Sequence, residues 1–423
     1  MEPRRTKINS SNNAFSAATC SLMLFFCQSS LAATWIDIKT KALNAPAIRS
    51  AQGEVEAANA GLESSKAGFY PRLYSTLQAT RTRDEQYKTS GNNYSAAINL
   101  EQSLFASGRD LANFDAAESS RKASLLSLKD ASVTLRSSLA KAWSRALYFD
   151  RLGVLTKQTI SRRESNSQIV RLRYASGRES KGSLLVTENA EQRALVDFHD
   201  AQKKSLLSRA DLGVLTASPL SVKEPLLGSL ADDSWAPPAE HRQQDLKVAA
   251  NEAKLEAARA SIQAARAKYF PDLSLTASAR KSAQSGLSLK EPIFAAGLSV
   301  TIPIFDGRNS GDVRAATAKM SILEATLTRS KLESDQATQT ALANFEIARE
   351  RLTVTRQGLE AAKVQAEVSR QRYTLGLMSF QDWDSFESAL IKSELEVLSS
   401  EKDLADAVSD YLSAIGTTLE DDP

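Results

Sequence analysis

Chemistry begins with side chains that can hold a metal, attack an electrophile or carry a proton, and this chain has few of them. Its 423 residues include two histidines, His199 and His241, and two cysteines, Cys20 and Cys27. Neither histidine has a partner at metal-ligand spacing, so both read as ordinary surface residues. Serine is abundant, but a hydroxyl without a placed base is a weak nucleophile, and no nucleophile elbow is present. Phosphate-cradling glycine loops and paired-carboxylate clefts are also missing. No catalysis, cofactor or metal is expected. With 53 Lys+Arg against 50 Asp+Glu there is no basic excess to attract nucleic acid. The sharpest spacing is instead a repeated Arg-Tyr-x-x-Gly, at Arg173-Tyr174 with Gly177 and at Arg372-Tyr373 with Gly376. An Arg and a Tyr in a last helical turn before glycine predict a left-handed helix C-cap, hence a helical hairpin turn.

The N-terminus reads as an export signal. Arg4, Arg5 and Lys7 precede a small-and-apolar segment from Ala14 to Cys27, and Ser30-Leu31-Ala32 supplies small residues for cleavage after Ala32. Cys27 follows Phe26 and Cys20 sits too early, so neither fits a lipidation site. Cleavage removes both cysteines. The mature chain enters an oxidising compartment without disulfides and is held by packing.

Stepping outward from the two glycine turns, the same plan occurs twice at an offset of 199 or 200 residues. Tyr70-Pro71 matches Phe270-Pro271, Phe105 with Gly108-Arg109 matches Phe305 with Gly307-Arg308, and the two Arg-Tyr-x-x-Gly motifs match each other. Three matches in register indicate a duplication. The halves are 33–216 and 240–423, joined by a linker, 217–239, that holds four of the eleven prolines.

Each half opens with an Ala/Glu/Lys-rich helix, about 37–67 and 244–268, ending at an aromatic-Pro pair that forces extended backbone. Alternation follows. Leu73, Leu77 and Ala79 oppose Thr76, Gln78 and Thr80, and Tyr94, Ala96, Ile98, Leu100 and Leu104 oppose Ser95, Asn99, Glu101 and Ser103. In the second half Leu273, Leu275, Ala277 and Ala279, and then Ala296, Leu298, Val300, Ile302 and Ile304, do the same. Period two means strands with one apolar face. They form two hairpins, about 71–105 and 271–305, with polar loops near 83–93 and 281–293. Proline-free runs at about 109–175 and 311–375 then predict rods of roughly 100 Å. Seam residues such as Phe345, Leu352, Ala366 and Tyr373 keep the three-four spacing of coiled-coil packing. Return helices, about 182–213 and 380–414, fold back antiparallel.

The strand count constrains the architecture. About ten residues with one apolar face match an oblique bilayer crossing. Four strands cannot close, because the smallest single-chain membrane barrels have eight, and open edges are forbidden in lipid. Strands must be pooled, eight from a dimer or twelve from a trimer. A soluble pair of capping hairpins on a coiled coil is the alternative from pattern alone.

The order of these features resembles the TolC-like outer-membrane efflux proteins over essentially all of the chain after residue 32. The residues carrying the resemblance are Tyr70-Pro71, Phe270-Pro271, the Ile302-Pro303-Ile304-Phe305-Asp306-Gly307-Arg308 exit and the tip from Arg372 through Gly376-Leu377-Met378 to Asp382. The resemblance implies a mainly α protein with a small β part. Duplicated helical hairpins would form an α-barrel, and four transmembrane strands per protomer would join a twelve-stranded barrel in a homotrimer. It implies an outer-membrane location, a long periplasmic tunnel, and docking of a periplasmic adaptor and an inner-membrane pump or exporter. The tunnel would be a passive duct of a tripartite efflux pump or type I secretion system, with drugs, metal ions and polypeptides all open as cargo. The implied docking tip comprises Arg173, Tyr174, Gly177, Arg372, Tyr373, Gly376, Leu377, Met378 and Asp382, with Gly376, Leu377 and Met378 as its exposed apolar point. Asp382 would cap the returning helix. Its counterpart Ser183, with Arg178, Glu179 and Lys181, makes the first tip more charged. Glu367, two turns before Gly376, would form a constriction; a solvated helix-face glutamate is the plainer reading. A periplasmic adaptor and a secreted coiled-coil scaffold stay open as other classes, although an adaptor would carry one helical hairpin rather than two repeats.

Overall fold

A computed structural model describes residues 33–84, 89–218, 225–230, 235–237, 245–284 and 291–421. The export segment, both cysteines, His241 and parts of the 217–239 linker lie outside the described residues.

The chain begins with β1 (Ala33–Thr34) and α1 (Trp35–Ala42), capped by a reciprocal Thr34–Asp37 box. The single helix expected over 37–67 is two. Pro46 has no N–H and disfavours helical backbone at Ala45, so α1 stops and α2 (Pro46–Lys66) starts with Pro46 in its first turn. A 3-10 turn (Ala67–Phe69) leads to β2 (Arg72–Asp84) and β3 (Thr89–Phe105). The rod α3 (Arg109–Ala175) and its return helix α4 (Lys181–Thr216) follow. After β4 (Leu226–Leu227) the plan repeats as α5 (Leu246–Ala267), β5 (Asp272–Gln284), β6 (Ile293–Thr301), rod α6 (Gly307–Thr374) and return helix α7 (Phe380–Ala414). The rods contain 67 and 68 residues, about 100 Å each at 1.5 Å per residue. Gly307 opens α6 four residues earlier than expected because Asp306 caps its first turn. Among the described residues no helix is long and apolar enough to cross a membrane.

Connectivity and contacts fix the lateral order. Near the strands, α2, α3, α5 and α6 lie side by side; near the glycine turns, the order is α4, α3, α7, α6. Alanines such as Ala250, Ala253 and Ala258 fill the buried face of α5, and small side chains let helix axes approach closely. The largest core sits midway along α3. There Leu139, Trp143 and Ala146 pack with Ile38 of α1, Leu212 of α4 and Leu398 of α7. Trp35 stacks obliquely on Trp143, and β1 pairs in parallel with β4 across the same region.

Beyond the helices, the strands form one antiparallel sheet in the order β2-β3-β5-β6. Register decides its chemistry. Leu73 pairs Leu100 and Leu100 pairs Ala277; Leu275 pairs Leu298 and Ala279 pairs Phe294. Paired residues share a face, so all four apolar sets coincide on one side. The opposite side carries Thr76, Asn99 and Ser278, with Asn99 donating to Thr76 at 2.7 Å. Three expectations need correction. The strands run into the expected loops, leaving only 85–88 and 285–292 between them. A bulge between Ser103 and Phe105 brings Phe105 rather than Leu104 opposite Leu273. Ile302 and Ile304 lie beyond β6, which ends at Thr301 because Pro303 has no ladder donor.

Candidate functional site

The two glycine turns lie side by side at the far end of the rods. Gly177 and Gly376 have φ of +71° and +79°, the left-handed region that side chains disfavour. Each closes the same Schellman cap. The N–H of Arg178 reaches the Arg173 carbonyl at 2.8 Å, and that of Leu377 reaches the Arg372 carbonyl at 2.9 Å. The return helices are capped alike too: Ser180 Oγ accepts from Ser183 N–H and Ser379 Oγ from Asp382 N–H. The cap of α7 is therefore Ser379. Asp382, expected as the cap, sits in the first turn and accepts from the Ser379 hydroxyl at 2.7 Å, where its charge complements the helix N-terminus.

Equivalent backbones carry different side chains. Tyr373 is fully buried, stacked on Trp383 with centroids 4.3 Å apart and planes 7° apart. Phe380 and Val170 complete this cluster, with Ile169, Leu184 and Met378 partly buried against it. Tyr174, the counterpart of Tyr373, is exposed. Its return helix offers Lys181 and Leu184 where α7 offers Phe380 and Trp383, so there is no ring to stack upon. The exposed apolar point differs from expectation accordingly. Met378 turns inward, and Leu375 and Leu377 project, about three-quarters exposed each. Arg372 and Gly376 are exposed beside them.

Arg173 and Glu179 of the first turn clasp Tyr373 of the second. The Arg173 guanidinium lies 4.6 Å from the Tyr373 ring centre and donates to its carbonyl at 2.7 Å. The Tyr373 hydroxyl donates to Glu179 at 2.8 Å. Burial and this bond raise the phenol above its ordinary range. Burial alone would raise Glu179. Hydrogen bonds from Ser180 N–H, Tyr373 and Ser183, with the Arg173 charge, outweigh it and lower its pKa.

Above the clasp, α3 meets α7 through charge. Arg163 pairs with Asp384 at 2.9 Å, Arg162 is bidentate to Glu394, and Arg151 shares Glu401 with Arg356 of α6. The Glu394 hydrogen bond raises Arg162 further. Buried Asn166 donates to buried Glu387 at 3.2 Å. The sequence reading missed this interface, although Glu387, Glu394 and Glu401 recur every seven residues and so form one stripe of α7. Trp383 and Glu179 were also missed as partners of the tip. Glu367 is exposed on α6 and accepts from Gln371 at 3.0 Å. His199 is exposed, and among the described residues no cluster of metal-binding side chains occurs.

Comparison with known proteins fits this geometry. A family model described as outer membrane efflux protein matches residues 38–218 and 238–417, one segment for each run of helix, hairpin and rod. Pyoverdine export outer membrane protein OpmQ of Pseudomonas aeruginosa is 28% identical over 359 residues, which cover 79% of this chain and 74% of that protein. Probable efflux pump outer membrane protein TtgC of Pseudomonas putida is 26% identical over 406 residues, 88% of this chain and 81% of its own. The open state of the Neisseria gonorrhoeae MtrE outer membrane channel shares the fold with a TM-score of 0.80 at 22% identity, covering 91% of this chain and 89% of that one. The chain belongs to the outer membrane efflux protein family.

Proposed function

We propose that three copies of this chain close a twelve-stranded barrel above a helical tunnel, a passive duct whose far end docks a periplasmic adaptor and an inner-membrane pump or exporter. The observation that carries this reading is the sheet. Its apolar residues share one face while β2 and β6 each keep an unpaired edge. A membrane leaves no such edge open, so β6 of one copy pairs with β2 of the next. Family membership places the chain in the outer membrane and makes it an efflux channel. Three copies rather than two follow the resemblance. Residues 1–32 act as the export signal, and 33–216 and 240–423 are the two repeats. Fractionation of membranes, with gel mobility before and after heating, tests the assembly. A heat-modifiable outer-membrane oligomer supports the reading, and a soluble monomer overturns it.

Leu375 and Leu377, raised on the Gly376 cap, supply the apolar contact for the adaptor, and the charged first tip contributes differently. A Cβ at Gly376 meets no neighbouring atom, so the cost of Gly376→Val begins with its left-handed backbone, φ +79°. That strain costs about 1–2 kcal/mol, enough to shift the cap and misplace Leu377. Outer-membrane insertion should persist while adaptor co-purification and export fall. Unchanged export would contradict the docking role.

Glu367 is proposed as a weak constriction. Three symmetry-related carboxylates around one axis would bind cations, the more so at low salt. In planar bilayers Glu367→Gln should relieve block by divalent cations. Unchanged block and selectivity would return Glu367 to a solvated helix face.

A further inference from the structure

The apolar face of the sheet is not uniform along its length. Its rows run from Phe105 opposite Leu273, next to the rods, up to Ala79, Tyr94 and Ala283. Ten residues of β5 separate these limits, about 34 Å along the strand and about 25 Å of height at the usual barrel tilt. That height equals the apolar band of an outer-membrane barrel. Beyond the last row the same face continues with Arg81, opposite Asn92, and Arg83, opposite Ser90. Lys281 lies one row inside the limit, opposite Ala96, where a four-carbon stem can cross apolar surface and place its ammonium at the rim. Arg81, Arg83 and Lys281 are exposed.

The sign and the position of these charges are both selective. Among the described strand positions of this face they are the charged residues, all three are basic, and none lies toward the rods. The acidic strand residues, Asp84, Glu101 and Asp272, hold register positions of the opposite face, where Glu101 pairs across from Arg72. The end that carries the basic group is the end farthest from the tunnel. With the tunnel in the periplasm, it meets the outer leaflet.

We propose that Arg81, Arg83 and Lys281 form a binding site for the phosphate groups of outer-leaflet glycolipid, so that a closed trimer presents nine positive charges in a girdle just above the apolar band. The inference rests on the barrel reading above. Guanidinium groups suit it, since they can bind phosphate through two parallel hydrogen bonds while their stems stay in the apolar rim. Bound lipid would then span the seam between copies, because β2 carries two of the charges and is an edge strand.

The test uses the full-length protein, extracted in detergent, with native mass spectrometry of bound lipid A. Wild type should retain bis-phosphorylated lipid A over the same lipid stripped of phosphate. Replacing all three residues by Gln should cut that preference at least about tenfold, since each basic side chain near an anionic surface contributes measurably. R280Q, on the opposite face, should retain it. Equal retention of both lipids by wild type, persistence in the triple Gln variant, or loss in R280Q would each overturn the site. Phosphatidylglycerol competing as well as lipid A would overturn the assignment to outer-leaflet lipid. A wild-type chain absent from the outer-membrane fraction would instead refute the barrel reading, and this site with it.

Discussion

Ile98→Arg is expected to abolish membrane assembly, whereas Asn99→Arg, the next residue of the same strand, should leave it intact. Ile98 lies opposite Ser75 and Ala279, in a central row of the apolar face, and is more than half exposed in the single chain. An arginine there sits near the bilayer midplane, where it costs about 2–4 kcal/mol in each copy. Three copies multiply the cost within one closed barrel. Asn99 points the other way and makes one exposed bond to Thr76, so its replacement enters a wet lumen. Ile302, the site that alternation alone recommends, lies past the end of β6 toward the rods and would feel less of the bilayer. The outcome is read from the heat-modifiable oligomer in outer-membrane fractions. Equal tolerance of both variants would remove the basis for placing this face in lipid.

Tyr373→Ala should loosen the far end of the rods and leave the sheet unchanged. The ring is fully buried, stacked on Trp383 and covered by Arg173, and removing a buried aromatic costs about 3–5 kcal/mol. Tyr373→Phe keeps the stack and loses only the bond to Glu179, about 1.5–3 kcal/mol for a charged acceptor. Hydrogen exchange at the tip ends of α3 and α7 separates the two. Protection should fall strongly in the Ala variant and mildly in the Phe variant. The Glu179 bond carries a pH signature. Its lowered pKa means that its stabilisation is present above the ordinary carboxylate range and is lost as pH falls through the depressed value. The deficit of Tyr373→Phe relative to wild type should therefore shrink in strong acid. Unchanged protection in both variants would show that the clasp is dispensable.

Much of this architecture is legible in periodicity. The long rods, the antiparallel return helices and the one-sided strands follow from three-four and two-residue spacing, and α3 and α7 begin and end where the pattern changes. What pattern could not show is three-dimensional. The clasp joins Glu179 to Tyr373, 194 positions apart, and depends on two turns meeting at the same end of two rods. The inward turn of Met378 likewise needs Phe380 and Trp383 to form a pocket, which spacing along one helix does not reveal. The bulge at Ser103/Phe105 leaves no local signal in an otherwise even alternation. Charges on the seam were overlooked for a different reason. Nothing along α7 alone sets Glu394 and Glu401 apart from other helix-face carboxylates; Arg162 and Arg151 arrive from another helix to neutralise them.

The pooled barrel is the central claim, and subunit counting tests it most directly. Native mass spectrometry of the detergent-extracted outer-membrane complex should give three chain masses, corresponding to twelve strands, with no stable two-chain species on gentle activation. Two chain masses would imply an eight-stranded closure, and a single chain in the membrane would leave the edges of β2 and β6 unpaired; either result would contradict the account.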